Sequence, residues 1–475
     1  MNQGFSGTDG GRCASWRTIS WVGAAVLIAW VLGGCGPDAL TAEQVCDTGV
    51  YRLTDGHLMD IGPSEGRDLR WRLDDGRTGR LRADRSGGST VGWTDRTDGT
   101  AVVLPGCSAK ERRIEYKDAT GSIASGLAVP LVATDTTFRS RDTRLSGRLV
   151  LPPGTDPVPI VIPVHGSERD SALRFNFYQR LLPAQGVGVF VYDKRGTGTS
   201  DGKYTQDFDI LADDAAAAAS EARRLAGARA LRIGFQGTSQ GGWIAPLAAT
   251  RTKVDFVIVD FGLAGSVAEE NRDQVVVELS REGYSTRELA AAADVADATS
   301  AIAASHFKSG YDRLEQLRSR YRSEPWFKKI RGQFAGEILK YPSWVVRMIG
   351  PWFDMGTPIN YDAMAVLRRV DVPMLWVLAG DDTYAPSAST QARLKELAAA
   401  GLKIDAVEFP GTEHGIIEIA HGADGSRAEI RYAEGYFRTT LDFALRGHLA
   451  GRYGTAIPIV NAEAVVSDRN PSGGQ

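Results

Sequence analysis

Six short apolar runs dominate the middle and end of the chain: PIVIPV (159–164), VGVFVY (187–192), LRIGF (231–235), VDFVIV (254–259), PMLWVLA (373–379) and LKIDAVEF (402–409). A strand with one wet face alternates apolar and polar residues, whereas a strand covered on both faces is apolar nearly throughout. Runs of the second kind, separated by helical stretches, predict an α/β fold with a mostly parallel central sheet and helices on both faces. VPLVATDTTFRS and TRLSGRLVLPPG, just before the first run, read as an antiparallel pair that opens the same sheet. Ligands of such sheets bind outside the carboxyl ends of the strands, so the loops after each run are where chemistry is expected.

Upstream the pattern is different. VYRLTDGHLMDI and LRWRLDDGRTGRLRA alternate large apolar and polar residues around Asp-Gly pairs, and TVGW and TAVVLP continue the series. Asp-Gly between alternating segments is a strong hairpin signal, and strands at this spacing predict a small β-sandwich or barrel of roughly 90 residues. The expected division is a leader over 1–34, a small β-rich domain over 35–128, the α/β domain over 129–456 and a C-terminal tail over 457–475.

Arg12 and Arg17 precede ISWVGAAVLIAWVL (19–32), an uncharged run too short to span a bilayer comfortably but suited to the core of a signal peptide. It ends in LGGC (32–35), which resembles the lipobox of bacterial lipoproteins. That resemblance implies cleavage before Cys35, lipid on its thiol, and a chain anchored to a membrane of the bacterial cell envelope; an ordinary cleaved signal is the alternative. Cys13 would leave with the signal, so Cys46 and Cys107 would remain in an oxidising compartment, where one disulfide between them is expected and two free thiols are the other possibility. Closing a loop of about 60 residues would stabilise that region by ~4 kcal/mol on the chain-entropy account. No Cys or His spacing suggests zinc, and no metal or cofactor is expected. With a formal net charge of −3, the chain also lacks the basic excess of a nucleic-acid binder.

G-x-S-x-G occurs three times: GPSEG (62–66), GTSDG (198–202) and GTSQG (237–241), in a chain with 54 glycines. Ser64 lies between hairpin strands beside Pro63, and turn chemistry accounts for it. Ser200 follows its strand only after the long loop DKRGTGT, with no helix immediately behind it. Ser239 differs from both. LRIGF leads through one residue, Gln236, into the turn, and the small-residue helix start GWIAPLAAT follows directly. A sharp strand-to-helix turn with small neighbours is what exposes a nucleophile above a sheet, with the positive end of the helix behind it. Ser239 is therefore the predicted nucleophile.

Partners for such a serine are sought at the other strand ends. MLWVLAGDDTYAP places Asp381 and Asp382 in one loop, and Asp260 ends an earlier strand. Of six histidines, His57 lies in the β-rich part, His306 in a helical region, and His421 and His448 well past the last run. His414, in EFPGTEHGI, sits in the loop just after that run and is the predicted general base.

Taken together, HGS (165–167), YDKRGTGTS (192–200), QGTSQGGWIAPLAA (236–249) and the late GDD…AP and His pair resemble the α/β-hydrolase superfamily, over about Val129 to Gly451. The resemblance implies the chain order nucleophile, acid, base, and favours Asp382 as the acid because it lies four residues before Pro386; Asp381, and more distantly Asp260, are alternatives. It implies an oxyanion hole from the backbone N–H groups of Ser167 and Gln240, with His165 shaping the loop. It further implies a helical cap at about 265–357, where Trp326, Phe327, Trp344, Trp352 and Phe353 either line an apolar acyl pocket or pack the cap on the core. The expected activity is hydrolysis of a carboxylic ester through an acyl-enzyme, on a small-molecule substrate. Cleavage of short peptides, with Glu269 and Glu270 holding an N-terminal amine, and thioester hydrolysis are the alternatives.

Overall fold

The computed structural model describes residues 40–64, 68–82, 89–91, 99–106, 110–422 and 427–461. The run 19–32, Cys35, Cys107 and the tail from 462 onward lie outside the described residues. Cys46 is disulfide-bonded. Residues from Leu40 onward make one compact unit.

After a short helix α1 (Ala42–Asp47), whose N-cap Thr41 forms a capping box with Gln44, come strands β1 (Gly49–Leu53), β2 (Leu58–Pro63), β3 (Leu69–Leu73), β4 (Thr78–Arg82), β5 (Ser89–Val91), β6 (Ala101–Val103), β7 (Arg113–Lys117) and β8 (Ile123–Ala128). They close into a barrel through the pairing of β1 with β8, Tyr51 opposite Ala128. The predicted Asp-Gly turns join β1 to β2 and β3 to β4. Gly56 and Gly76 take φ of 93° and 96°, and Asp55 and Asp75 each accept a hydrogen bond from the backbone two residues on. Tyr51, Met59, Ile61, Trp71 and Leu73 fill the interior.

Strand β2 is buried on both faces, because its outer face rests on the α/β domain. There Val50 and Leu58 pack with Tyr178, Leu181 and Leu182 in a shared apolar cluster. Asp60, fully buried in the same contact, accepts from Arg72 Nη1 at 3.0 Å and from Arg180 Nε at 2.5 Å. A buried carboxylate that lost such partners would destabilise the chain by about 3–5 kcal/mol, so this contact is well specified.

The central sheet contains β9 (Val132–Ser140), β10 (Thr143–Leu151), β11 (Val158–Val164), β12 (Gly188–Tyr192), β13 (Ala230–Thr238), β14 (Phe256–Asp260), β15 (Met374–Ala379) and β16 (Ile404–Phe409). β11, β12, β14 and β15 are buried along their whole length, as continuous apolar runs require. β9 and β10 form the predicted antiparallel pair.

Two features depart from the expected division. Past β16 the chain does not run directly to the last helix but makes a small antiparallel sheet of β17 (Thr412–Glu413), β18 (Ile417–His421) and β19 (Arg427–Tyr432). The expected tail also begins with β20 (Ile457–Val460), which pairs antiparallel with β16 and extends the order to β20-β16-β15-β14-β13-β11-β12-β10-β9. Four residues are too few to show a period in sequence, and Pro458 argues against a central strand; an edge position accommodates both.

Ahead of Ala363–Leu367, the last α-helix between β14 and β15, lie five others: Val267–Arg281, Thr286–Ala304, Tyr311–Tyr321, Ala335–Leu339 and Ser343–Ile349. They enclose an apolar cluster of their own, including Val275, Leu279, Val295, Leu314 and Trp326. Among the described residues no helix is long and apolar enough to cross a membrane.

Candidate active site

β13 stops at Thr238 and the next helix starts at Gly241, leaving two residues for the reversal. Ser239 makes it with φ of 53°. A non-glycine residue in that region carries about 1–3 kcal/mol of strain, which persists only where the surroundings fix it. Here they do: Ser239 N donates to Asp260 O at 3.0 Å, and Gly242 N donates to Ser239 O at 2.8 Å. The flanking glycines are steric requirements. A Cβ on Gly237 would stand 2.0 Å from Gly241 O, and one on Gly241 would stand 2.2 Å from Val164 O.

The loop after β16 carries His414 back to this turn. Its Nε2 lies 3.0 Å from Ser239 Oγ and its Nδ1 lies 2.8 Å from Asp382 Oδ2. Asp382 Oδ1 accepts from the N–H groups of Tyr384 and Ala385, both at 2.9 Å, so the carboxylate is held at both oxygens. Asp381 is engaged through its backbone instead, donating to Thr412 O and accepting from Arg281 Nη2. Asp260 packs behind the turn, where its Oδ2 accepts from Gln236 Nε2 and Tyr436 OH and not from His414. The ring of Phe261 stands edge-on to His414 with centroids 4.9 Å apart. Burial works against the charged form of His414, but Asp382 foremost, with Glu270 and Glu413, outweighs it, and the imidazole pKa is raised above its ordinary value.

Glu269 and Glu270 separate in role. Glu269 completes a capping box with Ser266 and forms an ion pair with Arg393, so helix start and salt bridge account for it. Glu270 is placed in the field of the His414–Asp382 pair. Burial raises its carboxyl pKa to about 8, with His414 pulling it down and Asp382 pushing it up.

The HGS loop runs beside the nucleophile: a Cβ on Gly166 would lie 3.4 Å from Ser239 Cβ. His165 shapes it, with Nε2 2.7 Å from Tyr192 O and Nδ1 3.5 Å from Glu168 Oε1. Ser167 is exposed, and its carbonyl accepts from Tyr204 OH; Gln240 is buried as the residue just ahead of the helix. Sequence reasoning overlooked Lys194 in the YDKRGTGTS segment. It is 2% exposed and donates from Nζ to Gly166 O at 2.7 Å. Its neighbour Asp193 accepts from Ser171 Oγ, Leu173 N and Thr199 N. The signal available was a lysine two residues beyond a fully apolar strand, where a charge is buried only for a purpose.

The remaining serines and histidines are elsewhere. Ser200 Oγ donates to Asp193 O and accepts from Ser146 N, and Ser64 N closes a turn on Asp68 O. His57 pairs with Asp74 and His306 with Asp354, while His421 and His448 are exposed. The aromatic residues of the helical insertion do not make one pocket wall. Trp326 is buried within the insertion against Tyr321 and Phe327, and Trp344, Trp352 and Phe353 are exposed. Among the described residues no cluster of His, Cys, Asp and Glu is arranged to hold a metal ion.

Residues 155–279 match the family described as "Serine aminopeptidase, S33". No curated protein matches the chain. Solved structures that resemble it include an esterase of Pyrococcus furiosus, 15% identical over 60% of this chain and 84% of that one, with a TM-score of 0.39. A hypothetical protein of Pseudomonas aeruginosa is 17% identical over 67% and 94%, with a TM-score of 0.40. The acylaminoacyl peptidase of Pyrococcus horikoshii is 14% identical over 81% of this chain and 55% of its own length, with a TM-score of 0.39. A mostly parallel sheet in this strand order, a strained serine between its strand and helix, and the family match across that segment give the chain the α/β-hydrolase fold.

Proposed function

We propose that the chain is a serine hydrolase that cleaves carboxylic esters through an acyl-enzyme. The observation that carries this reading is the continuous hydrogen-bonded series Ser239 Oγ, His414 Nε2, His414 Nδ1, Asp382 Oδ2 at 3.0 and 2.8 Å. Ser239 Oγ attacks the carbonyl carbon as its proton passes to His414 Nε2. Asp382 holds the imidazole by Nδ1 and stabilises the imidazolium. The N–H groups of Ser167 and Gln240 receive the oxyanion. The same proton goes to the departing alcohol, and water, deprotonated by His414, then releases the acid and restores the serine hydroxyl.

Glu270 supports a second reading, an aminopeptidase. An unpaired acid beside the reacting groups suits a substrate's N-terminal ammonium, which would hold Glu270 ionised. Esters are preferred because a single such acid, with Glu269 tied to Arg393, makes a weak amine anchor. Attachment to a membrane through lipid on Cys35, and a Cys46–Cys107 disulfide, belong to the same proposal and rest on the sequence pattern.

A fluorophosphonate probe should label the wild type and leave Ser239→Ala unlabelled. Rates on p-nitrophenyl acyl esters should exceed those on aminoacyl anilides; anilides outpacing every ester would reverse the choice.

A further inference from the structure

A cavity of about 360 Å³ lies beside the site, with no residue of the helical insertion in its lining. Its walls come from the HGS loop (His165, Glu168), the end of β13 (Gln236, Thr238), Phe261 and Gly415. Thr238 and Gly415 adjoin Ser239 and His414 in the chain, Phe261 packs edge-on to the His414 ring, and Gln236 lies three residues before Ser239. The far wall is aromatic, with Phe177, Tyr178, Tyr432 and Tyr436, and it is completed by Arg72, which comes from the barrel.

Besides the Tyr178 hydroxyl, which has Thr440 and Tyr436 beside it, three polar atoms in this lining are buried without a protein partner among the described residues: Arg72 Nε, Asn176 Oδ1 and Gln236 Oε1. Arg72 is 7% exposed and Gln236 is 1% exposed. Leaving a buried polar group unmatched is costly, so a cavity lined by several of them is suited to a ligand that matches them. One is a donor and two are acceptors. Formal charges oppose an ionic ligand of either sign. Glu168 and Asp170 line the cavity and disfavour an anion, and the Arg72 guanidinium, stacked 4.8 Å over the Phe177 ring, disfavours a cation. Aromatic walls with a few placed donors and acceptors are the usual make-up of a specific small-molecule site.

We infer that this cavity is a substrate subsite for an uncharged hydroxyl-bearing group, and that the barrel contributes Arg72 to it. The inference rests on Ser239 being the reacting serine, since that is what makes the cavity part of a substrate site. It gives the barrel a place in recognition, and it explains why Asp60 has two arginines. Arg180 also neutralises Asp60, which leaves the Nε edge of Arg72 for the cavity.

The test uses the full chain and two matched ester pairs: methyl hexanoate against methyl 6-hydroxyhexanoate, and propyl butyrate against glycerol monobutyrate. Binding is measured by calorimetry on Ser239→Ala, which needs no turnover, and kcat/KM is measured on the chain with Ser239 intact. At least one hydroxylated ester should bind about tenfold or more tightly than its partner. That ratio should fall to within threefold of unity in Asn176→Leu and in Arg72→Met, where Arg180 still holds Asp60. Equal binding within each pair, or a preference that survives both substitutions, overturns the subsite. If the binding preference appears while the Ser239-intact chain neither turns over ester nor takes the fluorophosphonate label, the serine-hydrolase reading fails and the binding site stands.

Discussion

Lys194 Nζ donates to the carbonyl oxygen of Gly166 at 2.7 Å, and that carbonyl shares a planar peptide unit with the N–H of Ser167. In a trans peptide the two groups point in opposite directions, so fixing the oxygen aims the N–H. Lys194 thus positions the predicted oxyanion donor without touching substrate. Burial lowers its pKa, with Glu168 pulling the other way.

Lys194→Met should therefore lower kcat by about 10²-fold, the scale of losing one oxyanion donor, while KM changes by less than about threefold. Steady-state kinetics on a p-nitrophenyl ester would show the split. A fold defect would instead lower the active fraction, counted by fluorophosphonate titration, with kcat per labelled site intact.

Glu270 and His414 are coupled. Glu270 helps raise the imidazole pKa, and a base must be unprotonated to act. Glu270, its own pKa raised to about 8, is only partly ionised where His414 titrates, so in Glu270→Gln the acidic limb of the kcat/KM profile should move only slightly to lower pH. Ester rates at pH 9 should stay within about threefold of wild type, because proton affinity changes and the nucleophile does not. For aminoacyl anilides the same variant should lose activity at every pH if Glu270 receives an amine. A limb that moves upward would contradict the coupling.

Much of this geometry was legible in the chain, and what was not has identifiable causes. The covered strands show because burial on both faces removes the polar residues that blur a period. Ser239 stands out from Ser64 and Ser200 because only its turn lacks room for a loop. Glu269 and Glu270, adjacent in sequence, could not be told apart. One helical step of about 100° sends the first back to Ser266 and Arg393 and the second toward His414. Arg72, and Lys194 but for its place just past an apolar strand, were hard to read for another reason. Their importance depends on what lies across the fold from them, Gly166 in one case and the cavity in the other.

Asp382 is held by two backbone N–H groups besides His414, so its loop should keep its shape when the charge is removed. Asp382→Asn should lower kcat by about 10³–10⁴-fold through loss of the imidazole's orientation and of support for the imidazolium. Asp381→Asn should stay within about threefold of wild type, its loop contacts being backbone ones. The two variants assayed side by side decide between the adjacent acids, and a reversal of their order would move the role to Asp381.

Asp260 supplies a prediction about stability. It is fully buried, and burial raises its pKa to about 7, opposed by the hydrogen bonds from Gln236 and Tyr436. An unfolded aspartate titrates near 3.9. Between these values the folded chain keeps a proton that the unfolded chain has released, so the unfolded state binds fewer protons and stability falls as pH rises. The contribution is complete below about pH 4, is lost progressively up to about pH 7, and is constant above. Asp260→Asn removes that loss, and its side-chain oxygen can still accept from both Gln236 and Tyr436. The variant should therefore gain on wild type steadily from pH 5 to pH 7 and hold a plateau beyond, with a ceiling on the order of 4 kcal/mol. Urea unfolding midpoints at pH 5, 6, 7 and 8 measure the difference directly. A gap that stays flat across that range would mean that Asp260 is charged in the folded chain, and one that narrows with pH would reverse the sign.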